Sequence, residues 1–181
     1  MATISGGDKA DEYLKELGRR LGAGKALKVG FFEGSTHQDH NGDSVPTAYI
    51  AALQNFGFGP TPPRPFFTNV VRDESAGWGD TLSDCMARTN NDTKKALALL
   101  GDHIAEQIQR SITAITSPPL SDITLMLRKM RSDDQSLIVT GKTVGEAAKR
   151  VAAGESYGDV STKPLIDSGD MQDAVEWEVV T

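Results

Sequence analysis

Four side chains able to hold a divalent cation, His37, Asp39, His40 and Asp43, fall within seven consecutive positions. Imidazole nitrogens and carboxylate oxygens are the donors such ions take. A closed set needs more ligands than this stretch supplies, and the remaining histidine, His103, lies far along the chain. The cluster therefore reads as a solvated polar loop, and no metal site is expected. A second candidate is Gly141-Lys142-Thr143, between an apolar triplet and a helical pattern. A phosphate loop of the form G-x-x-x-x-G-K-[ST] requires glycine at position 136, where this chain has Ser136. Leu137, Ile138 and Val139 stand where its backbone would cradle phosphate, so the tripeptide reads as an ordinary helix start capped by Thr143. The stretch around Gly22-Ala23-Gly24-Lys25 has the wrong spacing for the same pattern and reads as a helix stop. Cys85 and the serines lie in no nucleophile-elbow or cysteine-protease pattern. Asp167 and Asp170 could form an acid-base pair, but Asp-Ser-Gly-Asp is also a turn composition. No catalytic, cofactor-binding or metal residue is assigned, and the chain is not expected to be an enzyme.

Whatever these residues do, a scaffold must hold them. A length of 181 residues suits a single domain over 1–181 with one sizeable core. Hydrophobic residues at 38% against 24% charged leave part of the chain for exposed loops or arms. The net charge of −6 argues against a surface built to neutralise phosphates. One cysteine excludes an intramolecular disulfide framework and a cysteine-based zinc site. The opening residues lack a basic start followed by an apolar run, and no apolar stretch is long enough to span a bilayer, so a soluble, unexported protein with no membrane contact is expected.

After a polar leader at 1–7, Asp8 or Asp11 can cap a helix carrying Leu14, Leu17 and Leu21. Residues 26–32 read as a strand with Leu27, Val29 and Phe31 on one face, and 34–45 as a polar loop. A short helix is expected over 46–54 and another over 68–85. The clearest helix covers 92–116, where Leu97, Leu100, Ile104, Ile108, Ile112 and Ile115 make one stripe. Pro118 and Pro119 end it, and Ser121 or Asp122 can cap a helix carrying Ile123, Leu125, Met126 and Met130. The stretch 131–163 is polar and reads as an arm or insertion, with a small strand at 137–140 and a small helix at 144–153. Its apolar content predicts ordering against a neighbouring subunit. Val175, Trp177 and Val179 alternate with glutamates in a half-buried closing strand. The class implied is α+β: a small antiparallel or mixed sheet packed on a long central helix and shorter helices, with extended loops.

Residues 56–67, FGFGPTPPRPFF, hold four prolines, two glycines and four phenylalanines. Such a stretch is an irregular, stiff strap whose aromatics cost little entropy to hold in place. The order Asn55-Phe56-Gly57, a short gap, then Pro63-Arg64-Pro65-Phe66-Phe67 resembles the neck or tail-completion (head-tail joining, minor tail) family of tailed bacteriophages. Val29-Gly30-Phe31-Phe32, Pro118-Pro119-Leu120-Ser121 and the run from Pro164 to Met171 extend the match in the same order. The polar stretch 131–163 departs from shorter members.

The resemblance implies a virion structural subunit at the head-tail junction, made in the bacterial host cytoplasm. It would form a ring, sixfold or in a variant twelvefold, between the head connector and the tail tube or its terminator, with DNA passing through the lumen without sequence-specific binding. The alternatives are a tail terminator capping the tube and, from another class, a phage-encoded nucleotide-binding enzyme. No cofactor comes with the resemblance. Phe56, Arg64, Pro65, Phe66 and Phe67 are its candidate interface strap, either making subunit contacts or closing the core.

Overall fold

A computed structural model describes residues 12, 15, 16, 25–38, 44–167 and 169–180. The helix expected around Leu14, Leu17 and Leu21, and the leader, lie outside the residues whose structure is described. Two compact units share the chain. One comprises Met1–Gly30, Arg72–Glu106 and Glu176–Thr181, the other Phe31–Val71 and Gln107–Val175.

In the first unit, strand β1 (Ala26–Gly30) pairs antiparallel with β4 (Glu176–Val180), setting Leu27 opposite Val179 and Val29 opposite Trp177. Residues opposite one another share a face, so the apolar members of both strands lie together while Lys28 and Glu178 form an exposed ion pair at 3.1 Å. Behind Trp177 runs helix α4 (Thr93–Ala114), whose residues to Glu106 belong to this unit. Gly101 is the contact point: a Cβ there would sit 2.6 Å from Trp177 Cγ and Cδ2 and 3.1 Å from Leu27 Cδ1. Trp177 Nε1 donates to Asp102 Oδ1 at 2.7 Å, fixing the indole on the helix. Asp92 starts α4, accepting from the Lys95 amide at 3.2 Å, and Leu97, Leu100, Ile104, Ile108 and Ile112 are buried along it as the stripe predicts, whereas Ile115, the last of the expected stripe, lies past the helix end and is half-buried. Ahead of it, α2 (Phe66–Glu74) and α3 (Trp78–Arg88) are separated by one 3₁₀ turn and account for the single helix expected over 68–85. The fold is α+β, with short antiparallel ladders and a long central helix, as the sequence implies.

The second unit corrects the polar loop at 34–45. Thr36–Gln38 (β2) and Ser44–Pro46 (β3) pair antiparallel, a ladder held by backbone bonds that needs no apolar alternation. Helix α1 (Thr47–Phe56) follows and ends at Gly57, φ 77°, where a Cβ would meet Pro63 N at 2.8 Å. Only glycine accepts both the left-handed backbone and that approach. Helix α5 (Asp122–Asp133) is capped by Ser121, which accepts from the Thr124 amide at 3.2 Å. The expected strand at 137–140 is not formed; those residues lead without regular structure into α6 (Gly141–Ala152). Ala147 and Val151 of α6, with Leu137 and Tyr157, pack on Met126 and Met130 of α5, so the polar stretch has a packing partner within the chain. A one-turn helix, α7 (Asp170–Asp173), follows Gly169, which is left-handed at φ 97°.

Candidate functional site

The strap is built from its first residue. Asn55, buried at the end of α1, accepts at Oδ1 from the amides of Phe67 (3.0 Å) and Thr68 (3.2 Å), and its Nδ2 donates to Thr68 Oγ1 at 2.8 Å. It therefore caps α2 from a distance, satisfying amides that the helix itself cannot. Between them Phe58 and Thr61 exchange two backbone bonds of 3.0 Å across a tight turn, with Gly59 at φ 55°. The five candidate strap residues separate in space. Phe66 is fully buried, its ring edge-on to Phe31 at 6.1 Å, and its carbonyl accepts from Ser111 Oγ at 2.8 Å. Arg64 is buried, and Pro65 and Phe67 are half-buried. Phe56 is 73% exposed, and Phe58 and Tyr49, the latter seven positions back on α1, are exposed as well.

Arg64 uses its whole guanidinium. Nε donates to Pro118 O at 3.1 Å, Nη1 to Gln54 Oε1 at 3.1 Å and Nη2 to Pro119 O at 3.5 Å. Burial first, and then the nearby Arg128 charge, push this guanidinium below its ordinary value. Arg128 is half-buried and ties down the chain before α7: Nη1 donates to Ser161 O at 2.6 Å and Lys163 O at 3.0 Å, and Nε faces Asp167 Oδ1 at 3.3 Å. The other oxygen of Asp167 accepts from Arg131 Nη1 at 2.8 Å. Burial lowers the Arg128 pKa, Asp167 pulls it back up, and Arg131 lowers it further. Three stretches distant in sequence thus meet around a groove of about 890 Å³: the strap through Arg64, the Pro118-Pro119-Leu120-Ser121 run, and the Pro164 to Met171 run. These are segments that carry the phage resemblance.

Arg128 and Arg131 were not singled out by sequence reasoning. The available signal was two arginines three apart on an amphipathic helix, in a chain with an isolated acidic turn at Asp167. Among the metal candidates, His37 belongs to β2 by its backbone, while Asp39, His40 and Asp43 lie outside the described residues. Among the described residues, no group of three or more histidine, cysteine, aspartate or glutamate side chains is placed to hold a metal ion. Gly141-Lys142-Thr143 opens α6, but the cap is Thr140 and not Thr143. Thr140 N donates to Thr143 Oγ1 at 2.7 Å and Thr143 N donates back to Thr140 Oγ1 at 3.3 Å, a reciprocal capping box, while the Thr143 hydroxyl, the group a phosphate loop gives to magnesium, donates to Ile138 O at 3.1 Å. Cys85 is buried on α3. No described helix is long and apolar enough to cross a membrane. Comparisons of the chain with protein-family profiles, curated proteins and solved structures returned no match.

Proposed function

We propose that this chain is a ring-forming structural subunit of a tailed-phage virion, a neck or tail-completion protein that joins the head connector to the tail. The observation that carries the reading is the meeting of the strap, the double-proline run and the Asp167 turn around Arg64 and Arg128. Chance likenesses scattered over more than a hundred positions have no reason to line one groove, tied there by Arg64 on one side and by Arg128 and Arg131 on the other. The chemistry there is architectural, since Arg64 donates to a side-chain amide and to backbone carbonyls. Tyr49, Phe56 and Phe58 supply the second support: large aromatics left in water, two on a helix and one at a hydrogen-bonded turn, are typical of contact surfaces whose ordering cost is already met. A closed ring requires a heterologous contact, and this patch is a candidate for one side of it.

Sedimentation of the purified protein, alone and with tail tubes, tests the reading. The wild type is expected to associate, and the double variant F56S/F58S to remain folded and unassociated. Association undiminished in the double variant would remove the aromatic patch from the account.

A further inference from the structure

The groove in the second unit has a charge that its architectural role does not require. Arg64, Arg128 and Arg131 line it against two carboxylates, Asp167 and Asp170, an excess of positive charge on a chain of net −6. Helix α5 begins at its wall, at Ser121, and the positive end of the helix dipole adds to the excess. Arg64 spends its donors on the protein, whereas Arg131 gives Nη1 to Asp167 and leaves the rest of a guanidinium whose side chain is 34% exposed. The rest of the wall sets Leu120, Leu127, Leu165, Met171 and several prolines beside the hydroxyls of Thr47, Thr61 and Thr124. We propose that this groove binds an extended segment of a partner protein in which carboxylate side chains alternate with apolar ones. A carboxylate takes the open donors of Arg131 in the forked geometry that guanidinium favours, and the apolar side chains cover the leucines. Duplex DNA fits less well, because its phosphates would face the chain's net negative charge and leave the leucines wet. The inference stands on the groove alone and does not depend on the virion reading.

The test is fluorescence anisotropy of a labelled short peptide of Glu, Leu and Gly, run with the full chain beside its Gln isostere and a duplex DNA. The glutamate peptide is expected to bind, to weaken as salt rises, and to exceed the isostere by about tenfold, the worth of one charge-assisted contact. Arg131→Gln should cost a similar factor, while Lys149→Gln, on the exposed side of α6, should change nothing. No measurable binding, equal binding of the isostere, full affinity in a folded Arg131→Gln protein, or displacement of the peptide by duplex DNA would each overturn the proposal. If Arg131→Gln melts early, the salt and isostere comparisons on the wild type still decide it.

Discussion

Replacing Gly101 with alanine sets two physical effects against each other. In the interior of α4, alanine is favoured over glycine by about 1 kcal/mol from helix propensity alone. The new Cβ would lie 2.6 Å from two ring atoms of Trp177 and 3.1 Å from Leu27 Cδ1, well inside van der Waals contact. Either the indole moves by several tenths of an ångström or more, or the helix does. Overpacking of this kind costs roughly 1–3 kcal/mol. Displacing the ring also lengthens the 2.7 Å bond from Trp177 Nε1 to Asp102. A bond to a charged acceptor contributes about 1.5–3 kcal/mol. The clash and the bond together exceed the propensity gain, so Gly101→Ala should destabilise the chain by about 2 kcal/mol net. For a chain of this size that is a fall of about 4–8 °C in Tm. Denaturant unfolding in a Trp78→Phe background lets Trp177 report alone. In a Trp177→Leu background, followed by circular dichroism, Gly101→Ala should cost little beyond what Trp177→Leu costs alone, because the penalty resides in one contact. A Gly101→Ala chain more stable than wild type by about 1 kcal/mol would mean that propensity governs and that the strand pair does not rest on α4 as described.

Arg64→Met keeps the side-chain bulk and removes the donors to Pro118, Pro119 and Gln54; with relief of the Arg128 repulsion subtracted, a loss of about 2 kcal/mol is expected by chemical denaturation, and no loss would deny Arg64 its tethering role. Asn55→Ala leaves the Phe67 and Thr68 amides without their acceptor and should cost about 2 kcal/mol, with faster hydrogen exchange at those two amides as its signature. Asp92 and Asp134 are held below the usual carboxylate range, the first mainly by the Lys95 amide and the second by the Ser136 hydroxyl and amide. Their stabilising contribution is therefore present above the unfolded pKa of about 3.9 and lost as pH falls through the lower folded values, so Tm should decline on acidification below about pH 4 and decline less in Asp92→Ala.

The helical part of the fold was legible because burial there follows a fixed period. The stripe from Leu97 to Ile112 and the cap at Ser121 both repeat or neighbour a pattern that a one-dimensional reading detects. The closing strand was legible for the same reason, through the alternation of Val175, Trp177 and Val179 with glutamates. What the text concealed is set by long-range partners. The β2–β3 ladder is polar and short, and its bonds are between backbones, which composition does not record. Residues 131–163 looked too polar to pack because their apolar partners, Met126 and Met130, lie just before the segment on α5. The strap was recognisable as a motif, yet its division into a buried Phe66 and an exposed Phe56 depends on the helix that each terminates or begins. Arg128 and Arg131 read as ordinary surface charges on α5 until Asp167, dozens of positions later, is seen to join them.

Electron microscopy of the purified protein mixed with isolated tail tubes tests the central claim most directly. A ring-forming junction subunit should appear as a closed ring at one end of the tube and be absent from tubes incubated without it. Tubes left bare at both ends, with the protein remaining unassociated with tails and with connector-bearing heads alike, would contradict a structural role at the head-tail junction.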